Sequence, residues 1–189
     1  VAAIGCCDKD AMKVTEAVNN PAEALQTEIE VGIRVLSRTR TAAAAIARAQ
    51  LGKPMLQADP ALSFAGNYFY MMTGEKPDEI TAKVMDVVLM LQADHGMNAS
   101  TFTAMVVHSS LSDMYSTIAA AIGSLRGPLH GAANQAALDE LLTVGSPDNA
   151  KKWVQDKFAK GQKIMGFGHR VYKAYDPRAT VLKRYAEML

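Results

Sequence analysis

Three of the four histidines in this chain stand in short, unusual sequence contexts. His95 lies in ADHG, His130 in GPLHG and His169 in GFGHR. Glycine, proline and aspartate commonly mark turns and helix ends, so these imidazoles are predicted to be held at the ends of helices. Because histidine can donate, accept or transfer a proton near neutral pH, the pattern indicates a site for hydrogen-bond or acid–base chemistry.

His130 directly precedes Gly131, where a helix is predicted to begin. The positive end of the helix dipole disfavours the cationic form of an imidazole at this position. A neutral imidazole can donate a hydrogen bond to a carbonyl oxygen and so stabilise an enolate. From these residues alone, a helix-capping histidine without a chemical role is an equally good interpretation.

The segment around His169 combines a permissive backbone with a nearby cation. Glycines on both sides of Phe167 allow the backbone to approach a ligand closely, although no Walker-type lysine follows. Arg178 comes after Asp176-Pro177, which predicts a helix start, and its guanidinium can grip a carboxylate through two parallel hydrogen bonds. The alternative interpretation is a tight turn with a structural salt bridge.

Polar residues also cluster between two predicted helices. His95 follows the first helix, and Asn98 and Ser100 open the second. These side chains form either a ligand site or an interhelical cluster whose members satisfy one another's hydrogen bonds. His108 lacks such a context and is predicted to be a packed or partly exposed helical residue.

The spacing of histidine and cysteine does not indicate a metal site. No two histidines stand three or four residues apart, and Cys6 and Cys7 lie far from them in sequence. Adjacent cysteines make a strained disulfide, so we expect two buried or half-buried thiols in a reducing, cytoplasmic compartment. We expect no bound metal.

The composition is that of an ordinary globular protein. The 189 residues are 49% apolar and 21% charged, and 20 basic residues nearly balance 19 acidic ones. The net charge of +1 provides no strong field for nucleic acid or for an acidic membrane surface. The longest apolar stretches, such as Val84–Leu91, are too short to cross a bilayer. We therefore expect no nucleic-acid partner and no membrane association.

Helical periodicity, with capping residues at the expected ends, continues along the chain and predicts an all-α fold. Only Lys163–Met165 has the character of a short extended segment. The predicted helices are Ala22–Leu51, a segment from Asp59-Pro60 to about Thr73-Gly74, Pro77 to about Ala93, Ser100–Ser109, Asp113–Leu125, Ala132–Val144, Asp148–Lys160 and Ala179–Leu189.

Three motifs closely resemble the citrate synthase family, in order and in spacing. They are LQADHGMNAS (91–100), GPLHGAAN (127–134) and the segment 165–178, which includes MGFGHR and YDPR. The resemblance implies a multihelical citrate synthase-like fold. It also implies that residues 1–130 are part of a large helical domain and that residues 131–189 are the beginning of a smaller one.

The resemblance further implies an acyltransferase that condenses oxaloacetate with acetyl-CoA and then hydrolyses the thioester. His130 matches the residue that hydrogen-bonds the thioester oxygen, and His169 the residue that polarises the oxaloacetate carbonyl. The positions expected to bind oxaloacetate are His95, Asn98 and Arg178. No permanently bound cofactor is implied, because the CoA thioester is a co-substrate.

Contacts with CoA and with a second subunit are also implied. The loop formed by Ile164, Met165, Gly166, Phe167 and Gly168 matches the segment that meets the adenine end of CoA, and Lys173 matches a position facing its phosphates. Family members are homodimers, and the small residues in the stretch from Ser100 to Leu125 make it the candidate interface, with an intramolecular core helix as the alternative.

The family's general base and further substrate-binding arginines fall outside these 189 residues, so the resemblance predicts that the chain is inactive by itself. Three alternatives remain open: a 2-methylcitrate synthase using propionyl-CoA, a non-catalytic helical protein that dimerises or binds CoA, and a helical metal-binding module. Gln92 stands where many relatives carry a histidine, which leaves an effector site there undecided.

Overall fold

The computed structural model describes residues 1–11, 13, 20–93, 96–169 and 172–189. The described residues form helices and loops and contain no β-strand, which confirms the all-α prediction. The helices are α1 (Ala2–Gly5), α2 (Pro21–Gln50), α3 (Phe64–Thr73), α4 (Glu79–Ala93), α5 (Ala99–His108), α6 (Met114–Leu125), α7 (Ala132–Val144), α8 (Pro147–Ala159) and α9 (Pro177–Ala186).

Side-chain caps explain why several helices begin where they do. The Asp113 carboxylate accepts hydrogen bonds from the first backbone N–H groups of α6, and Asp176 does the same for α9. Ser146 caps α8, which has a proline in its first turn. These residues satisfy N–H groups that have no partner within the helix. The predicted starts near these positions are confirmed to within one or two residues.

The predicted start of α3 at Asp59-Pro60 is wrong. The Asp59 side chain accepts the backbone N–H of Ala61 and closes a local turn instead of a helix. Ser63 supplies the cap, accepting the N–H of Gly66 at 3.0 Å, and the helix begins at Phe64. Asp59 and Ser63 are both good capping residues. The helix begins after Ser63 because the contacts of Asp59 hold it in the turn.

Residues 163–165 lie in a loop outside the helices, and their extended backbone stays a prediction. Two smaller expectations need correction. The final helix begins at Pro177 and ends at Ala186, short of Leu189. The two cysteines, Cys6 and Cys7, are exposed free thiols, because they lie just after the short helix α1 and outside the core.

Helices α1 to α6 form one connected set of packed neighbours, and the pairs α7–α8 and α4–α9 are two further contacts. Helix α5 packs along α6, α3 lies against both α2 and α4, and α1 and α2 contact α6. Helix α7 packs on α8, whereas α9 returns to α4. A small buried cluster of Ala11, Val31, Val35 and Tyr115 marks the core where α1, α2 and α6 meet.

A buried carboxylate stabilises this junction. Asp8, with a side chain only 3% exposed, accepts hydrogen bonds from Arg34 at 2.9 Å and Arg38 at 3.2 Å on α2 and from the Tyr115 hydroxyl at 2.7 Å on α6. Burial alone raises the pKa of Asp8, but the bonds from Arg34 and Tyr115 outweigh it and lower the pKa to about 2. The ionised carboxylate therefore ties the segment after α1 to both α2 and α6.

The chain exposes more surface than a compact protein of its mass. Its accessible area is 13300 Å², whereas a folded monomer of 20.3 kDa has about 8,800 Å². Large apolar side chains contribute to this surface on α2 and α5, among them Ile33 at 62% and Phe102 at 60% exposure. In the part of the chain that the structure describes, no helix is long and apolar enough to cross a membrane.

Candidate active site

His130 lies in a tight turn at the entrance to α7, as predicted. Its backbone N–H donates to the Gly127 carbonyl at 2.9 Å, and α7 begins two residues later at Ala132. Gly131 permits this arrangement because a Cβ atom there would lie 2.6 Å from the Leu125 carbonyl oxygen. The start of α7 therefore lies directly against the end of α6, with the half-buried imidazole between them and α5.

A serine on α5 holds the His130 ring. The Ser100 hydroxyl oxygen lies 2.8 Å from His130 Nε2 and 2.9 Å from the Ala121 carbonyl oxygen on α6. A hydroxyl has a single proton, so it donates either to Ala121 or to His130. If it donates to the imidazole, the proton of the neutral ring resides on Nδ1, and Nδ1 becomes a hydrogen-bond donor. The orientation of the Ser100 hydroxyl therefore determines whether Nδ1 of His130 donates or accepts a hydrogen bond.

The tautomer of His169 is set by the loop that follows it. The Tyr172 backbone N–H donates to His169 Nδ1 at 3.1 Å, and the two rings stack with centroids 4.4 Å apart. Because Nδ1 acts as an acceptor, the neutral ring carries its proton on Nε2. His169 is exposed, and the arrangement provides an Nε2–H donor at the end of the Gly-rich loop.

Arg178 begins α9 as predicted, and its guanidinium is already bound on two sides. Nε and Nη2 bind Asp176, the closest contact being 2.8 Å, and Nη1 lies 3.3 Å from the Gln92 side-chain oxygen on α4. The hydrogen bonds to Asp176 raise the pKa of Arg178. The salt bridge that was the alternative interpretation is therefore present, and Nη1 remains the nitrogen directed towards α4.

Asn98 is the predicted residue that lies at the start of α5. Asn98 caps this helix, and its side-chain oxygen accepts the Thr101 N–H at 3.0 Å. This bond gives Asn98 a structural role, while its contact with substrate stays a prediction. His95 lies outside the described residues. His108 ends α5 as a half-buried residue, 3.5 Å from a Glu28 carboxylate oxygen, in agreement with its predicted structural role.

Residues Ile164–Gly168, here called the GFG loop, lie against α7. Gly166 and Gly168 have φ angles of 86° and 80°, which only glycine adopts readily. Phe167 between them is 82% exposed. An apolar pocket of about 170 Å³ separates the loop from α7 and α8, and its walls include Leu141, Val144, Trp153, Val154 and Ile164. Lys173 is exposed and follows the loop.

The structure groups the predicted residues into separate clusters. His130 shares hydrogen bonds with Ser100, His169 with Tyr172, and Arg178 with Asp176 and Gln92. The partnership of Ser100 with His130 had no signal in the sequence, since 30 residues separate them. Among the described residues, no group of three or more His, Cys, Asp or Glu side chains is arranged to hold a metal ion.

Comparison with known proteins gives one consistent family. A family model described as the C-terminal domain of citrate synthase matches residues 1–189. Citrate synthase from Deinococcus radiodurans is 48% identical over 157 residues, which cover 83% of this chain and 42% of that protein. A 2-methylcitrate synthase from Mycobacterium tuberculosis is 41% identical over 155 residues, covering 82% of this chain and 39% of that protein.

Solved structures of citrate synthases share the fold. The enzyme from Pyrobaculum aerophilum is 41% identical with a TM-score of 0.85, covering 99% of this chain and 47% of that one. Citrate synthase from Thermoplasma acidophilum, solved as a ternary complex with carboxymethyl coenzyme A and oxaloacetate, is 37% identical with a TM-score of 0.78, covering 86% of this chain and 43% of that one. The chain thus spans less than half the length of each of these four proteins.

Proposed function

The chain belongs to the citrate synthase family, and we propose that the protein carrying it condenses oxaloacetate with acetyl-CoA and hydrolyses the resulting thioester to citrate and CoA. The observation that carries the proposal is the His130 imidazole at the start of α7, hydrogen-bonded through Nε2 to Ser100. The complex of the Thermoplasma acidophilum enzyme with carboxymethyl coenzyme A and oxaloacetate supports these two substrates.

His130 stabilises the enolate formed from the acyl group. Removing a proton beside the thioester places negative charge on its carbonyl oxygen, which needs a preorganised donor. When the Ser100 hydroxyl donates to Nε2, the Nδ1–H of the neutral ring supplies that donor. The close contact of Gly131 with Leu125 holds the backbone beside His130 against α6, and the bond to Ser100 orients the ring, so little reorganisation accompanies the reaction.

His169 and Arg178 bind the second substrate, oxaloacetate. The Nε2–H of His169, fixed by the bond from Tyr172 to Nδ1, polarises the oxaloacetate carbonyl. Arg178 binds a carboxylate through Nη1, where the substrate oxygen exchanges with the Gln92 amide oxygen. His95 and Asn98 complete the proposed substrate site. No permanently bound cofactor takes part.

We also propose a division of the chain near residue 130, between part of a large helical domain and the beginning of a smaller one. Its support is that α7 packs along α8 and meets the preceding helices at its start, where Gly131 lies against Leu125. The contact of α9 with α4, which includes Arg178 and Gln92, crosses this division. Oxaloacetate therefore binds where the two parts meet.

The GFG loop and Lys173 form the proposed CoA site. Backbone groups beside the two glycines can approach the adenine ring closely, and the exposed Phe167 ring offers an apolar face. Lys173 lies a few residues further on, and its exposed ammonium group suits a phosphate.

Oxaloacetate-dependent release of CoA, followed with a thiol reagent, tests the function. We expect the protein that carries this chain to turn over acetyl-CoA, with citrate as the product identified by mass spectrometry, and we expect the 189 residues alone to be inactive. The relative from Mycobacterium tuberculosis supports a second candidate, 2-methylcitrate synthase. One methylene changes kcat/KM by roughly 10–200-fold, so the ratio for acetyl-CoA and propionyl-CoA separates the two. Absence of CoA release with both thioesters contradicts both candidates.

We propose that the protein is a cytoplasmic homodimer with α5 and α6 at its interface. The exposed Phe102, Met105 and Val106 on α5 and the large accessible area support an apolar interface. Within one chain α6 already packs on α5, so a second copy must use the outward faces of both helices. Sedimentation equilibrium is expected to give twice the chain mass, and a monomer at high micromolar concentration contradicts the dimer.

A further inference from the structure

Glu140 on α7 connects three separate parts of the chain. One carboxylate oxygen, Oε2, accepts the backbone N–H of Met165 in the GFG loop at 2.7 Å. The other, Oε1, accepts a hydrogen bond from Lys157 Nζ on α8 at 2.8 Å. Both side chains are largely shielded, with 19% and 22% exposure for Glu140 and Lys157. A single side chain therefore fixes the loop to both helices.

The contacts of Glu140 are those of an ionised carboxylate. Lys157, and after it the Met165 N–H, lowers the pKa of Glu140, so its bonds are charge-assisted at neutral pH. Lys157 Nζ also lies 5.0 Å from the centre of the Trp153 ring, which holds the ammonium group beside the pocket wall. Because Lys157 neutralises the carboxylate, Glu140 does not repel an anionic ligand.

The loop needs such an anchor because its own sequence does not make it rigid. Gly166 and Gly168 both adopt left-handed φ angles, and glycine loses more conformational entropy on ordering than any other residue. The bond to Met165 fixes the residue just before the first glycine, and a Cβ atom on Gly166 would lie 3.4 Å from the Ala137 Cβ on α7. The loop is thus held at its N-terminal end against α7.

We propose that Glu140 is a positioning residue for CoA binding, which acts through the GFG loop without touching the ligand. This inference rests on the proposed function of the loop. Rigidifying a binding loop raises affinity because less ordering is left for the ligand to impose. Loss of the anchor should therefore weaken binding of the nucleotide part of CoA and leave binding of oxaloacetate and the condensation step unchanged.

The first test measures binding of CoA and of adenosine 3′,5′-bisphosphate to the 189-residue chain by calorimetry. Glu140→Ala is expected to raise both dissociation constants about tenfold, which is the loss of one charge-assisted hydrogen bond. Glu140→Gln keeps an oxygen that can accept the Met165 N–H, and a smaller increase is expected. Asp139→Asn is the matched control, because among the described contacts the exposed Asp139 carboxylate accepts a hydrogen bond only from Gln135, also on α7.

The second test separates positioning from general loss of structure. In the synthase, Glu140→Ala is expected to raise KM for acetyl-CoA about tenfold while kcat and KM for oxaloacetate stay within about twofold. Hydrogen exchange at the Met165 amide reports directly on the anchor and is expected to accelerate in Glu140→Ala. If Glu140→Ala does not fold, the kinetic constants and the hydrogen exchange at Met165 are measured on Glu140→Gln and Lys157→Met instead.

The outcomes distinguish this inference from the function on which it rests. If the wild-type chain binds neither probe, the proposed CoA site fails and the role of Glu140 fails with it. If the wild type binds and the Glu140 variants bind within about twofold of it, only the positioning role is overturned. A parallel loss in kcat and in both KM values also overturns it, since that indicates a general structural defect.

Discussion

Replacement of His130 by alanine is expected to lower kcat of the synthase by about 10²–10³-fold, the usual effect of removing one donor from an oxyanion site. The reason is that the Nδ1–H of His130 is the donor assigned to the enolate oxygen, and alanine offers no substitute. KM for acetyl-CoA should change little, because this hydrogen bond strengthens mainly in the transition state. Steady-state assays with both substrates measure the effect.

Two further variants serve as controls for His130. Ser100→Ala removes the hydroxyl that bonds Nε2 and that places the ring proton on Nδ1 when it donates, and we expect a smaller loss in kcat, about tenfold. His108→Ala alters a half-buried histidine on the same helix as Ser100 and should stay within about twofold of the wild type. A His130→Ala enzyme within tenfold of wild-type kcat contradicts the assigned role.

The second large effect concerns stability. Asp8→Ala is expected to lower the free energy of unfolding by about 2–4 kcal/mol, because it leaves Arg34, Arg38 and the Tyr115 hydroxyl without their shared acceptor. Arg34 and Arg38 are partly exposed, so water can solvate them in the variant. The loss of stability is therefore smaller than for a fully buried ion pair. Urea unfolding followed by circular dichroism gives the value. A much smaller loss is expected for Asp10→Ala, which removes a peripheral partner of Arg34 and an exposed ion pair with Lys13.

The ionisation of Asp8 also makes the free energy of unfolding depend on pH in the acidic range. The pKa of Asp8 is about 2 in the folded chain, against an ordinary value of 3.8. Its contribution of about 2 kcal/mol is therefore complete above pH 3.8 and is lost as the pH falls towards 2. We expect the urea midpoint of the wild type to fall over this range and the midpoint of Asp8→Asn to fall less. Equal slopes for both proteins contradict the assignment.

Helix ends were predictable where one capping residue acts alone. Asp113, Ser146 and Asp176 each stand before a helical pattern, and each accepts backbone N–H groups as expected. The start of α3 was not predictable, because Asp59 and Ser63 both offer a cap. The structure resolves that choice through Asn67, which binds the backbone N–H and carbonyl of Asp59 and holds it in a turn.

The residues of the candidate site were predictable as motifs, whereas their partners were not. A sequence pattern extends over a few residues, but Gln92 meets Arg178 across 86 positions and Asp8 meets Tyr115 across 107. Glu140 had no sequence signal for the same reason, since Met165 is 25 residues away. Such contacts depend on how helices pack, which local periodicity does not specify.

The Ser100 hydroxyl has a consequence for which compounds the pocket can accept. Rotation about a C–O bond takes picoseconds to nanoseconds and requires no helix to move. The orientation towards His130 suits the tautomer with its proton on Nδ1, and the orientation towards Ala121 suits the tautomer with its proton on Nε2. A change of tautomer also requires a proton to leave one ring nitrogen and another to reach the second, so an inhibitor that presents an N–H group at the place of the thioester oxygen is bound only after that exchange, whereas one that presents a carbonyl meets the Nδ1–H donor directly.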